Sequence, residues 1–504
     1  MTRRNTVLAA LVAVVLVGAI VLALVLRGDG QNDAARSGGP ANDLERFYEQ
    51  DLSWSDCNSG KCATVEVPID YEKPDGETLE LRVKLIAAKG EGGRSLFVNP
   101  GGPGGAALGF TEYMAQLLPA EVLETYDIIG IDPRGVGEST PVDCVSDRDL
   151  DRFIAKDPSP DDASEKSAYR KITADFGAGC RQRSGEIAAH ISTEEAARDF
   201  DLVREVLGAK TFDWFGYSYG TQLGATYATL FPKRVGRMVL DGATDPSLGT
   251  IDVSLGQSGG FDRALTAYIE DCQKRDNCPL AGDADAAEAT LVDFLESTDA
   301  KALETNEKRK LTEGQAYAGL FYPLYAKELW PRLTDALIAA LDGDGTPMLQ
   351  LSDEYFDRLA DGSFAGNLFE GFLAVSCLDS GERGTFDDVE KMIPRFEKGN
   401  TVLGRQDAWA AFVCADWPIK ATHPQVDIDA TGSMPIVVIG TTRDPATPYE
   451  WSPALAKQLG TGVLVTREGD GHTAYGSGNT CIDDLVNAYL ADGTVPKDDT
   501  TCKE

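Results

Sequence analysis

Short apolar runs rich in β-branched residues recur along this chain, separated by polar turns and by longer helical patterns. Such runs are typical of buried strands, whereas apolar residues at intervals of three and four indicate amphipathic helices. The runs predict eight strands, at residues 63–67, 79–88, 95–99, 126–131, 211–215, 235–240, 435–439 and 463–466. The later strands alternate with helices, which predicts an α/β fold with a mainly parallel sheet, helices on both faces and antiparallel strands at its beginning.

The strand pattern is absent between Asp241 and Met434. Helical patterns replace it, at residues 261–272, 287–296, 314–325 and 330–341. We therefore predict a large, mainly helical cap at residues 247–433. This cap is expected to interrupt a core made of residues 43–246 and 434–504.

The N-terminus has the pattern of an export or anchor segment within residues 1–26. Arg3 and Arg4 precede an uninterrupted apolar run at residues 7–26, which is long enough to span a bilayer. No convincing cleavage site follows, so an uncleaved anchor is favoured, and a cleaved signal peptide is the alternative. The two arginines keep the N-terminus cytoplasmic and place the rest of the chain outside. Residues 27–42, rich in small and polar residues, predict a flexible linker.

Acidic residues dominate the charge of the chain. There are 81 Asp and Glu against 47 Lys and Arg, which gives a net charge of −34. This charge repels phosphate backbones, so nucleic acid is not an expected partner. It can attract cationic substrates such as peptides with free amino termini, although solubility alone also accounts for it. No motif predicts a cofactor, and the oligomeric state is left open.

All ten cysteines follow the apolar segment, and an even number in an exported chain predicts disulfide bonds. Pairing by proximity alone gives Cys57 with Cys62, Cys144 with Cys180, Cys272 with Cys278, Cys377 with Cys414, and Cys481 with Cys502. Zinc ligation is the alternative. Because no C-x-x-C pair occurs and the chain's three histidines are scattered, no metal site is predicted.

Two serines match G-x-S-x-G, the pattern of a nucleophile on a sharp turn between a strand and a helix. Ser218 follows a predicted strand and precedes a helical segment with small residues. A helix predicted at residues 193–207, with Ser192 and Glu195 in capping-box spacing, completes the unit. Ser258 lacks this context and is expected in a loop, since its two following glycines start a helix poorly. Ser218 is therefore the predicted nucleophile.

A serine nucleophile needs a base, and histidine is the usual one. His472 follows the last predicted strand in a glycine-rich loop, where an imidazole can reach the carboxyl ends of parallel strands. His190 and His423 lie in positions that suggest a structural or solvent-facing role. We predict that His472 is the base.

The base needs a carboxylate that orients it. Asp444 follows the strand predicted at residues 435–439 and precedes a proline, so its carboxylate is expected at the same sheet edge as Ser218. Asp470 is the alternative, but it is too close to His472 in sequence to come from a separate strand end. The order Ser218, Asp444, His472 is that of α/β-hydrolases.

Two backbone donors are predicted for the oxyanion of an acyl-transfer reaction. The loop Asn99-Pro-Gly-Gly-Pro-Gly-Gly follows a short strand, and Gly102 is its predicted donor. The second donor is the N–H of Tyr219, at the start of the helix after the serine. A phosphate cradle is an alternative for the glycine loop, but neither a following Lys-Ser/Thr nor dinucleotide-binding spacing is present.

Five motifs in order give the chain a resemblance to a known family. They are Asn99-Pro-Gly-Gly-Pro-Gly-Gly, Asp132-x-Arg-Gly-x-Gly-x-Ser, Gly216-Tyr-Ser-Tyr-Gly-Thr, Asp444-Pro-Ala-Thr-Pro and Gly471-His. From about residue 50 to the C-terminus the chain resembles the exported actinobacterial tripeptidyl aminopeptidases, relatives of prolyl iminopeptidases. The resemblance implies an α/β-hydrolase fold and a serine exopeptidase that releases short peptides from free N-termini beneath a helical cap. Its cysteine-containing pieces also support the pairing of Cys377 with Cys414.

The chain departs from prolyl iminopeptidases at two motifs. It lacks their Gly-Gly-x-Trp-Gly serine motif, and Asn99 replaces their histidine, so strict release of a single proline is not expected. Asp416 stands where a glycine is expected. An α-amine needs a carboxylate partner, and Asp379, Glu382 and Asp416 are the candidates, although an ordinary exposed acid is the favoured alternative for any one of them.

The motifs together predict an extracytoplasmic serine exopeptidase, membrane-anchored or secreted, acting on peptides or proteins with free N-termini. The same fold and triad serve an esterase or an endopeptidase, so an exported carboxylesterase and an endopeptidase remain alternatives. A catalytically idle surface-binding protein is the alternative from another class.

Overall fold

The computed structural model describes residues 44–90, 93–381, 383–420 and 425–503. The predicted N-terminal segment and linker, Glu382 and His423 lie outside these residues. The described chain forms ten strands, which include all eight predicted ones. They are β1 (Ser55–Cys57), β2 (Gly60–Pro68), β3 (Thr78–Ile86), β4 (Arg94–Asn99), β5 (Tyr126–Ile131), β6 (Phe212–Tyr217), β7 (Val235–Asp241), β8 (Ile436–Arg443), β9 (Gly462–Asp470) and β10 (Thr500–Cys502).

The strands form one sheet in the order β1-β2-β3-β5-β4-β6-β7-β8-β9-β10. The first three pairings, from β1 to β5, are antiparallel, and the remaining pairings are parallel. Every residue of β6 is buried, as expected for a parallel strand covered on both faces. The α/β class and the antiparallel beginning are therefore confirmed.

Helices connect the strands and fill the long interval between β7 and β8. Those of the described residues are α1 (Glu45–Tyr48), α2 (Ala107–Leu117), α3 (Ala120–Leu123), α4 (Asp147–Ile154), α5 (Ala163–Ser184), α6 (Thr193–Val206), α7 (Tyr219–Leu230), α8 (Thr250–Cys272), α9 (Ala284–Ala300), α10 (Glu313–Phe321), α11 (Trp330–Leu341), α12 (Thr346–Tyr355), α13 (Leu368–Asp379), α14 (Phe386–Gly399), α15 (Gly404–Ala410), α16 (Trp451–Leu459) and α17 (Thr480–Asp492). Within the described ranges, no helix is long and apolar enough to cross a membrane.

The alternation of side chains along β4 explains how helices cover both faces of the sheet. Leu96 and Val98 join an apolar cluster with residues of α2, α3 and α17. Phe97 points to the other face and stacks on Phe212, which contacts Phe200 of α6 and Tyr227 of α7. Helix α6 begins with the predicted capping box, in which Ser192 and Glu195 satisfy each other's backbone N–H groups.

Helices α8 to α12 share a second apolar core, separate from the sheet clusters. The ten cysteines form five disulfides, in the pairs that sequence proximity predicts. Two of these bonds, Cys272–Cys278 and Cys377–Cys414, join residues between β7 and β8. The boundaries of the cap, residues 247 and 433, stay a prediction and lie within the interval between β7 and β8.

The loop expected at Ser258 is wrong, because this serine lies inside helix α8. Its hydroxyl is buried and donates to Asp407 at 2.5 Å. Gly260, one of the two glycines that argued against a helix, allows close packing instead, because a Cβ there would lie 2.3 Å from the Pro445 carbonyl oxygen. Gly256, before the serine, does the same, since its Cβ would lie 2.8 Å from Trp451. Tertiary contacts outweigh the poor helix propensity of glycine here.

Arg134 fixes the loop after β5 to helix α6. Its guanidinium, fully buried, donates two hydrogen bonds of 2.7 Å to Asp199 and others to the carbonyl oxygens of Pro68, Ile69 and His190. A planar guanidinium suits this bidentate geometry. The loop motif that contains Arg134 therefore has a structural role.

Replacing Arg134 by Met leaves Asp199 buried without its counter-ion, so we expect a loss of about 3–5 kcal/mol in the free energy of unfolding. Urea denaturation with the disulfides intact measures this loss. Arg332→Met is the control, because Arg332 and Glu354 form a half-exposed pair that contributes about 0–1 kcal/mol. Equal losses in the two variants would contradict the role of Arg134.

Candidate active site

Four adjacent parallel strands bring the candidate residues to one edge of the sheet. Ser218 directly follows β6, Asp241 ends β7, Asp444 directly follows β8, and His472 lies two residues after β9. These strands are neighbours in the order β6-β7-β8-β9. The carboxyl ends of parallel strands meet at one edge, which is where ligands bind in open α/β sheets.

Ser218 occupies a strained turn between β6 and α7. Its φ of 54° and ψ of −123° are unusual for a residue with a side chain. The flanking glycines allow the turn, because a Cβ on Gly216 would lie 2.5 Å from the carbonyl oxygen of Gly220. This geometry is that of a nucleophile elbow, with the serine at the N-terminus of a helix.

His472 is held by Asp444. Its Nδ1 lies 2.9 Å and 3.0 Å from the two carboxylate oxygens, and Asp444 also accepts hydrogen bonds from the N–H groups of Ala446, Thr447 and Thr473. The carboxylate is therefore buried but fully satisfied. A hydrogen bond at Nδ1 leaves Nε2 of the neutral imidazole as the proton acceptor.

The pKa of His472 is raised above 6.5. Burial of the imidazole lowers it, but Asp444, by its charge and its hydrogen bond, and the nearby Asp241 more than compensate. Among the described residues, no hydrogen bond joins Ser218 Oγ to His472. Such bonds are often long in unliganded enzymes and tighten with substrate, so the arrangement is compatible with proton transfer.

The alternative residues have other partners. Asp470 forms a two-point ion pair with Arg443, with one contact at 2.8 Å, rather than orienting His472. His190 Nδ1 lies 2.6 Å from Glu195, at the start of α6. The structure therefore brings Asp444 to the imidazole, as the sequence predicts, and leaves Asp470 in an ion pair.

The glycine loop that contains the predicted donor Gly102 contacts the serine turn that contains the other predicted donor, Tyr219. A Cβ on Gly101 would lie 2.9 Å from Ser218 Cβ and 3.1 Å from Tyr219 N, so the glycine loop lies against the serine turn. Asn99 Oδ1 accepts the Gly101 N–H at 2.9 Å. Within the described chain, the N–H groups of Gly102 and Tyr219 make no hydrogen bond and remain available to an oxyanion.

Asp241 is not among the site residues predicted from the sequence. Its backbone oxygen accepts the Ser218 N–H at 2.9 Å, and its carboxylate accepts the N–H groups of Ala474 and Tyr475 at 2.8–3.1 Å. Burial raises its pKa to about 7, although these backbone donors oppose the shift. The sequence did offer a signal for it, namely a carboxylate directly after the strand predicted at residues 235–240, the next strand after the one that precedes Ser218.

Two of the carboxylates predicted to bind an amine, Asp379 and Asp416, have partners within the described chain. Asp379, at the end of α13, accepts hydrogen bonds from Thr193 N at 3.1 Å and from Thr193 Oγ1 at 2.5 Å. Burial raises its pKa to about 6, while the Thr193 bonds lower it. Asp416 is exposed and lies 3.7 Å from Arg170. Their role in binding an amine stays a prediction, as does that of Glu382.

One cluster of carboxylates among the described residues could hold a cation. Ligand oxygens of Asp157, Asp299 and Glu313 lie within 4.8 Å of one another. None of the three belongs to the serine–histidine arrangement. Acidic clusters of this kind are common on proteins with this much negative charge.

Known proteins resemble the chain over nearly its whole length. A family model described as TAP-like protein matches residues 400–502. The serine protease Hip1 of Mycobacterium tuberculosis is 36% identical, with 92% of this chain and 93% of Hip1 covered. Carboxylesterase B of the same organism is 34% identical, covering 94% and 92% of the two chains. Tripeptidyl aminopeptidase of Streptomyces lividans is 30% identical, covering 92% and 89%. The chain therefore belongs to the TAP-like family of α/β-hydrolases and is a serine hydrolase.

Proposed function

We propose that the protein is an extracytoplasmic serine exopeptidase that releases short peptides, mainly tripeptides, from free N-termini. The observation that carries this proposal is the contact of His472 with Asp444 beside the strained Ser218 turn. Relatives named serine protease and tripeptidyl aminopeptidase support a peptide substrate. We assign Ser218 as the nucleophile, His472 as the base and Asp444 as the residue that orients it.

The proposed reaction is acyl transfer to water. His472 Nε2 takes the proton of Ser218 Oγ, which attacks the carbonyl carbon of the scissile peptide bond. The N–H groups of Gly102 and Tyr219 stabilise the oxyanion. The C–N bond then breaks, His472 gives its proton to the leaving amine, and water hydrolyses the acyl-enzyme by the same steps.

The extracytoplasmic location rests on two features. Five disulfides favour an oxidising compartment, where they persist. The apolar run at residues 7–26, preceded by two arginines, favours export with either an anchor or a cleaved signal.

An esterase with the same residues is the second candidate function. The relative named carboxylesterase B favours it, because that protein matches this chain as extensively as the peptidases do. A serine, an imidazole and a carboxylate cleave esters and amides alike, so the residues of the site do not decide between them.

Ser218→Ala should lower kcat by about six orders of magnitude, because removal of a nucleophile eliminates the covalent route. It should also abolish labelling by a fluorophosphonate. Ser258→Ala is the matched control: this serine has the same five-residue pattern but lies buried in a helix. Labelling that survives in Ser218→Ala and is lost in Ser258→Ala would reverse the assignment.

The rate of wild-type hydrolysis should depend on the protonation of His472. Because its pKa is raised above 6.5 and only the neutral imidazole accepts a proton, kcat/KM should rise with pH through a midpoint above 6.5. Asp444→Asn removes the main source of the raised pKa, so the midpoint should move to lower pH, and the plateau should fall by about four orders of magnitude. Asp470→Asn should leave the midpoint unchanged. A midpoint that follows Asp470 instead would exclude Asp444.

A substrate panel separates the candidate activities. We expect the highest kcat/KM for tripeptide anilides with a free N-terminus and a loss of at least about tenfold when the amine is acetylated, since a lost charged contact is worth more than 1.4 kcal/mol. Equal rates for free and acetylated peptides would indicate an endopeptidase. Turnover of simple esters alone would indicate an esterase.

A further inference from the structure

One helix of the described chain touches the glycine loop that carries Gly102 and reaches Tyr219 through Thr193. The first half of α13 lies against the glycine loop: a Cβ on Gly104 would lie 2.4 Å from the Leu368 carbonyl oxygen and 2.7 Å from Phe372 N. The last residue of α13, Asp379, binds Thr193. Thr193 Oγ1 in turn lies 2.6 Å from the hydroxyl of Tyr219.

These hydrogen bonds run in one direction, from the Tyr219 hydroxyl through the Thr193 hydroxyl to the Asp379 carboxylate. An ionised carboxylate only accepts, so the Thr193 hydroxyl donates to Asp379. The same oxygen then accepts from the Tyr219 hydroxyl. Thr193 and Tyr219 are buried, and both Asp379 oxygens are used by Thr193. Buried and satisfied networks of this kind fix the conformation of their members.

Holding the Tyr219 ring also restrains the backbone of this residue. Tyr219 is the first residue of α7 and follows the strained Ser218, so its N–H direction depends on how the turn is held. The N–H itself has no partner among the described residues. It shares a peptide plane with the Ser218 carbonyl, which Thr221 holds, and the Tyr219 side chain, tied at its far end to Thr193, is a second restraint on the same residue.

Helix α13 is in turn fixed to the loop after β5. The Asn367 side chain, just before the helix, accepts the Gly137 N–H at 2.9 Å and donates to the carbonyl oxygens of Gly135 and Val142. Glu370 accepts the N–H groups of Cys144 and Val145. The helix is thus a rigid support for whatever its ends contact.

We propose that Asp379 is a positioning residue: through Thr193 it holds the Tyr219 ring and so directs the Tyr219 N–H toward the oxyanion, while the start of α13 supports the Gly102 loop. This role rests on the proposed function. It differs from the amine-binding role predicted for Asp379, because it acts on the transition state rather than on substrate binding.

Thr193→Val, which keeps the shape of the side chain and removes its hydroxyl, tests this role. We expect kcat to fall about tenfold with KM unchanged, less than the 10²–10³-fold loss on removal of a donor itself. Affinity for a tripeptide boronic acid, which forms a tetrahedral adduct, should fall by the same factor, and inhibition by the free tripeptide should not change. Tyr219→Phe should behave alike, and Thr193→Ser should restore the wild-type values.

Thr334→Val is the matched control, since Thr334 pairs with the buried Tyr268 hydroxyl at 3.1 Å outside the site. It should lose stability but keep kcat per fluorophosphonate-titrated site. Wild-type kcat and boronate affinity in both Thr193→Val and Tyr219→Phe would overturn the proposal. So would an Asp379→Asn variant whose KM rises only for substrates with a free amine. Failure of the wild-type enzyme to be labelled at Ser218 would instead count against the proposed function.

Discussion

The strained backbone of Ser218 is the constraint on which the site depends. Its positive φ persists because its N–H is held by the Asp241 carbonyl oxygen and its own carbonyl oxygen accepts two bonds from Thr221. Glycines on both sides allow the close approach of Gly220 and Asn99 to the turn. A strained residue remains in place only where its surroundings determine it, and here they also determine the position of Oγ.

Asp241 couples the serine to the histidine without contacting either side chain. Its backbone oxygen holds the serine turn, and its carboxylate holds the loop that begins at His472, through Ala474 and Tyr475. The end of β7 therefore holds Ser218 and the loop of His472 at a fixed spacing. This spacing does not depend on a hydrogen bond from Ser218 Oγ to the imidazole. The two residues are therefore held in place although that bond is absent among the described residues.

Local signals predicted much of this structure. Apolar runs located the eight longer strands, and the capping box at Ser192 located α6. Distance from His472 in the sequence selected Asp444 over Asp470, which the structure places in an ion pair with Arg443. The helix at Ser258 and the link from Asp379 to Tyr219 could not be predicted. Both depend on contacts between distant segments, such as the 149 residues from Ser258 to Asp407, and no local pattern encodes which segments meet.

The choice between an amide and an ester substrate has to depend on residues other than those that carry out the proposed bond cleavage. The proposed triad of Ser218, Asp444 and His472 can attack the carbonyl of either substrate, so discrimination requires contacts with the acyl chain or the leaving group. The helical interval between β7 and β8 is well placed to supply them. The backbone oxygen of its residue Tyr325 accepts the backbone N–H of His472 at 2.8 Å. The Tyr325 ring lies 5.7 Å from the imidazole and packs against Tyr355. The Tyr325 segment therefore supports the backbone of His472 and borders its ring, and under the proposed function a substitution there should change substrate choice together with the placement of the imidazole.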